Sequence, residues 1–145
     1  MAKTKKGKRK PDATDDARLQ AAAQVESIVE MVDAFDAGRA AYENGKPADA
    51  MEEAQQTIRE DALSVEVRSG WVTPGSDEMK AEEFCILLCT GGPAVRLVGE
   101  LDEHNEPRRV WVEYQDWGTP WTHYVGAAPY TDKLLAYCQQ FYFGE

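Results

Sequence analysis

The sequence predicts an α+β fold: an N-terminal helical hairpin, a four-stranded antiparallel meander and a C-terminal helix packed on the sheet. Two observations carry this. Apolar residues recur at alternating three- and four-residue steps up to residue 62, and from residue 63 the period changes to two. The period-two segments are joined by short connections, for which an antiparallel meander is the simplest topology. A last amphipathic segment returns to helical spacing and gives the sheet a helix to bury one face against.

The first helix is predicted to open at a Thr14 cap followed by Asp15 and Asp16, acids that suit a helix N-terminus. Its seam is Ala21, Val25, Ile28, Val32 and Phe35. Asn44-Gly45 supplies a stop, and Pro47 suits the first turn of a second helix whose inner side is Met51, Ala54, Ile58 and Ala62. The stretch from Gly38 to Gly45, with Ala50 and Ala54, resembles one tetratricopeptide-type helix–turn–helix. It has no second copy, and a solenoid needs about three, so a plain hairpin is the better reading. The seam is thin and alanine-rich. It needs a cover: the sheet, a second copy of the chain, or a target protein.

In the sheet half, Leu63, Val65 and Val67 alternate with polar residues as a half-buried strand. Phe84 to Cys89 is a continuous apolar run, the expected central strand. Val95, Leu97 and Gly99 face one way and Arg96, Val98 and Glu100 the other. Val110, Val112 and Tyr114 alternate in the same manner with Trp111, Glu113 and Gln115. The closing helix is expected to start at a Thr131 cap and carry Leu134, Leu135, Cys138, Phe141 and Tyr142 inward. The domain boundaries follow: a basic tail at 1–12, a helical arm at 13–62 and a sheet domain at 63–145.

The 145 residues carry a net charge of −10, from 26 acidic and 16 basic side chains, which excludes a generally basic nucleic-acid binder. Residues 1–10 hold six basic groups and no acidic one, so the rest of the chain stands at −16. This tail has no core-forming residue and reads as disordered. It lacks the apolar stretch of a signal peptide. Through Lys3–Lys10 it would bind nucleic acid weakly and lose it at moderate salt. No apolar run approaches the ~20 residues that span a bilayer, so no membrane partner is expected and the location is expected to be cytoplasmic.

Three cysteines, Cys85, Cys89 and Cys138, with no secretory signal indicate free thiols. Four strand steps hold Cys85 and Cys89 about 13 Å apart, too far to share a metal ion. They read as small buried hydrophobes. No nucleophile elbow, phosphate loop or metal-ligand spacing is present, so no catalytic residue, metal or cofactor is expected.

Two surfaces are candidates for binding. The segment 114–124 holds four aromatics with Asp116 and His123. Gly118 and Pro120 imply a turn that displays Trp117 and Trp121 as anchors, unless both indoles cap the end of the core. The other is the acidic set, with Glu82 and Glu83 among its runs, which either imitates a phosphate array or solvates the surface.

The sheet half resembles a family of small uncharacterised proteins of bacteriophages, prophages and mobile elements. The resemblance is carried by the segments LSVEVRSGW (63–71), LLCTGGPAVR (87–96), GELD (99–102), YQDWGTPW (114–121) and QFYFGE (140–145). It implies a mobile-element context and no mechanism. The expected function is that of a non-enzymatic accessory protein that binds and inhibits a bacterial nucleic-acid-handling or defence complex with a basic groove, an anti-CRISPR being the most concrete form. Trp71, Trp117, Trp121 and Tyr124 are the expected anchors, with Asp116, His123 and the acids Glu82 and Glu83 beside them. One alternative is a small-ligand module or enzyme built on Arg96, Asp116 and His123. Another is a self-associating protein paired through the helical hairpin.

Overall fold

The computed structural model describes residues 13–76 and 80–144, with side chains from Asp16 onward. The basic tail and the acids Asp77 and Glu78 therefore lie outside the described residues, as does the Thr14 side chain, and the helix already includes Ala13, so Thr14 is its second residue and not its cap.

Two helices lead: α1 (Ala13–Glu43) and α2 (Asp49–Asp61). Five strands follow, β1 (Ser64–Ser69), β2 (Ala81–Cys89), β3 (Ala94–Leu101), β4 (Pro107–Gln115) and the two-residue β5 (Thr122–His123). A 3-10 turn (Val125–Tyr130) leads into α3 (Thr131–Cys138). All strand pairs are antiparallel in the order β1-β2-β3-β4-β5. The expected α+β meander is thus present, with a fifth short strand added after the Asp116–Thr119 turn.

The predicted seam of α1 is buried, and Ala17 extends it by one turn. The surface that covers it is the sheet: α1 lies against β3 and β4, and α3 against both α1 and β4. Ala17, Ala21, Ile28 and Val32 belong to the same buried cluster as Phe84, Ile86, Leu97, Val112 and Leu134. The hairpin closes at Gly38, where an added Cβ would stand 2.7 Å from the Met51 backbone nitrogen. Only a glycine lets α1 and α2 approach so closely. Pro47 falls before the helix, since α2 begins at Asp49.

The C-terminal helix is shorter than expected. It ends at Cys138, and Tyr142 is exposed. Thr131 is its first residue and donates its hydroxyl to the Ala128 carbonyl in place of an N-cap bond. Tyr137, not Phe141, is the fully buried aromatic, and its hydroxyl donates to Asp61 Oδ2 at 2.7 Å. Beyond the helix the chain bends back, so that Phe143 packs on Phe84 with ring centroids 5.0 Å apart. The Asn105 side-chain amide holds the Gly144 carbonyl at 2.9 Å. Replacing Tyr137 by phenylalanine removes the link between α3 and the end of α2. We expect a loss of about 1 kcal/mol in urea unfolding with the fold retained.

The helical layer stops short of β1. Val65 is half-buried, but Leu63 is 59% exposed and Val67 47% exposed, although both share the core-side face of the sheet. The expected inward strand is therefore an edge strand whose apolar side is largely uncovered.

Candidate functional site

Among the described residues all helices lie on one face of the sheet, and the other face is open. Strand register fixes what that face presents. One row runs Ser64, Leu87, Arg96, Glu113 and His123, and the next Glu66, Cys85, Val98 and Trp111. A third row, Arg68, Glu83, Glu100 and Arg109, alternates charge at its ends: Arg68 pairs with Glu83, and Glu100 with Arg108 and Arg109.

The centre of the open face is a locked aromatic and ionic network. The Nε and Nη2 atoms of Arg96 lie 2.8 and 2.7 Å from Glu113 Oε1, and the Trp111 indole donates to Glu113 Oε2 at 3.2 Å. The Arg96 guanidinium lies over the Trp121 ring, 3.9 Å from its centroid. Both charged side chains are largely shielded from water, which strengthens the pair and the cation–π contact. Neither Trp111 nor Glu113 stood among the residues singled out from the sequence. The signal was present, because Arg96 and Glu113 sit on the outward face of neighbouring strands. Only the register shows that they are directly opposed.

Trp117 projects from a turn built by its neighbours. The Asp116 N–H donates to Thr119 Oγ1 at 2.9 Å, the Thr119 N–H donates to the Asp116 carbonyl, and the Trp117 N–H donates to Asp116 Oδ1 at 2.7 Å. Gly118 takes φ +73°, which completes the turn. The indole is 83% exposed, with one edge against Gly92, where a Cβ would stand 2.6 Å from Nε1. The core-capping reading of the indoles is thereby overturned. Trp117 stands in solvent and Trp121 lies under Arg96 on the open face. Tyr124 has a structural place: its ring packs edge-on against Tyr114, at 6.4 Å between centroids.

The candidate residues divide between two diagonal corners of the sheet. Asp116, Trp117, Trp121, His123 and Tyr124 gather where β4 turns into β5. Trp71, fully exposed, follows β1 at the opposite edge, beside Glu82 and Glu83 at the start of β2. Four strand spacings, about 20 Å, separate the two edges. Arg96, Asp116 and His123 do not converge either. Arg96 borders a depression with Cys85 and Val98, Asp116 one with Gly92 and Trp117, and His123 one with Trp111 and Thr131. At the acidic corner Asp102 is spent on its own turn. Its carboxylate accepts the Glu106 and His104 N–H groups, which lower its pKa below the ordinary value.

Among the described residues, no group of three or more His, Cys, Asp or Glu could hold a metal ion, and no helix is long and apolar enough to cross a membrane. Cys85 and Cys89 are half-buried, not buried as expected, because Cys85 faces the open side and Cys89 lies near Gln20 and Gln24 of α1 past a bulge. Burial raises the pKa of all three thiols, most of all Cys138, so each is protonated at neutral pH. With a thiol reagent near neutral pH, we expect slow modification of Cys85 and Cys89 that quickens as pH rises. Cys138 should react only on unfolding.

The fold defines a two-layer α+β protein with helices on one face and an open, aromatic-bearing sheet face on the other. No family model, curated protein or solved structure matches the chain.

Proposed function

We propose that this chain is a non-catalytic binding protein that docks on a basic macromolecular surface through its open sheet face and the β4–β5 corner. The observation that carries the reading is Trp117. A tryptophan held 83% exposed on a hydrogen-bonded turn, beside the ordered Trp121–Arg96–Glu113–Trp111 network, is a preorganised anchor. Its burial by a partner removes a large apolar area from water while little order is lost.

The charge distribution supports a basic partner. Residues 16–61 carry 11 acidic and four basic side chains, and this excess lies on the helical layer. On the sheet, Glu83 and Glu100 are already neutralised by arginines. The acidic field therefore acts in steering the approach, and the aromatic corner in holding the complex. In its most concrete form the partner is a bacterial nucleic-acid-handling or defence complex, and the chain is its inhibitor, as an anti-CRISPR protein would be.

Affinity capture from bacterial lysate, with the wild type and Trp117→Ala side by side, tests this. We expect one nuclease, CRISPR or polymerase complex on the wild type, reduced about tenfold or more on the variant and weakened by added salt. Identical recovery by both proteins, or no enriched complex, defeats the reading.

A further inference from the structure

We propose that β1 is a dimerisation strand, along which two copies of this chain pair antiparallel about a two-fold axis at Val67. Among the described residues β1 is the long free edge of the sheet, and such an edge offers a row of unpaired backbone N–H and C=O groups. At the other edge the two residues of β5 pair with β4, and the Tyr124 N–H continues the pairing to the Val112 carbonyl.

A two-fold axis through paired edge strands stands perpendicular to the sheet. The two core-side faces then lie on the same side, and odd-numbered residues oppose odd-numbered ones. Few registers remain, and the sequence of β1 discriminates between them. A centre at Glu66 or Arg68 sets identical charges face to face. A centre at Val65 sets Glu66 against Ser64, so no ion pair forms across the seam. Centred on Val67, each Glu66 opposes the other copy's Arg68, which then lies between that Glu66 and Glu83 of its own sheet, so two cross-strand ion pairs form.

The same register settles the exposed apolar residues. Leu63 is 59% exposed, Val67 47% exposed and Trp71 fully exposed, and all three fall on odd numbers. Leu63 and Trp71 flank β1 on either side and are equidistant from Val67 in sequence, so this centre brings each Leu63 to the end of the pairing where the other copy's Trp71 leaves its strand. Val67 meets its own symmetry mate. Charge and hydrophobicity thus select one centre independently. The two sheets join into one of ten strands. The two Trp117 corners remain at its far ends, free for the partner surface described above.

The test uses the purified full chain, with no partner, in light scattering and sedimentation across a concentration series. We expect a dimer of twice the 16.2 kDa monomer mass. Glu66→Arg alone and Arg68→Glu alone should each raise its dissociation constant about tenfold, because each sets two like-charge pairs opposite. The double swap, made together with Glu83→Gln so that residue 68 has no acid opposite it in its own sheet, should restore it, and Val67→Lys should weaken dimerisation at least as much as either reversal. These side chains are exposed, and a circular dichroism spectrum matching the wild type checks that each variant is folded. A monomer at every concentration overturns the proposal. So does a dimer indifferent to the three single substitutions, or one that the double swap fails to rescue.

Discussion

Replacing Gly99 by alanine is expected to destabilise the protein by about 3 kcal/mol, seen as a fall of about 10 °C in thermal midpoint. Gly99 lies on the core face of β3, between Phe84 of β2 and Val110 of β4. A Cβ there overlaps the Arg109 carbonyl oxygen and stands 2.5 Å from Cζ of the Phe84 ring. The first neighbour is backbone, fixed by the β3–β4 ladder, and cannot swing away. The second could turn only by giving up its packing on Phe143. Both responses are costly in a close-packed core. The aromatic face is seated on the glycine's flat surface, so the missing side chain is a packing requirement. A midpoint within 2 °C of the wild type would mean that the sheet twists to absorb the methyl at almost no cost.

That glycine also shows where the sequence was legible. Its place on the inward face followed from the alternation Val95, Leu97, Gly99, and the seam of α1 followed from its spacing, because both are local periodicities. Long-range facts were hidden. Nothing local announces that the helical layer stops short of β1, so Leu63 and Val67 read as buried when they are largely exposed. The C-terminal pattern of Phe141 and Tyr142 matched helical spacing, yet the chain leaves the helix after Cys138 and folds back on Phe84. At the candidate site, Trp117 and its turn were visible through Gly118 and Pro120. The Arg96–Glu113–Trp111 network was not, because it depends on strand register.

Ile28→Ala in α1 is expected to cost about 3–4 kcal/mol and to shift the unfolding of the whole chain, not of the arm alone. Ile28 is fully buried, in one cluster with Leu97, Val112 and Leu134 from the other half of the chain. Deleting three carbons there opens a cavity between α1 and the sheet, which neither layer can fill without moving the other. All four tryptophans, 71, 111, 117 and 121, lie in the sheet half, whereas the two longest helices lie before residue 63. Tryptophan fluorescence therefore follows the sheet, and far-ultraviolet circular dichroism follows mainly the arm. If the two halves share one core, Ile28→Ala moves both urea transitions together by the same amount. If the arm is an independent domain, dichroism shifts while the fluorescence midpoint stays in place. In the first case a fragment of residues 63–145 exposes the apolar face of β3 and β4 that α1 covers, and we expect it to lose the dispersed amide spectrum of the full chain. The open face presented to a partner is ordered only because the opposite face is buried, so loss of the helical layer would also remove the binding surface.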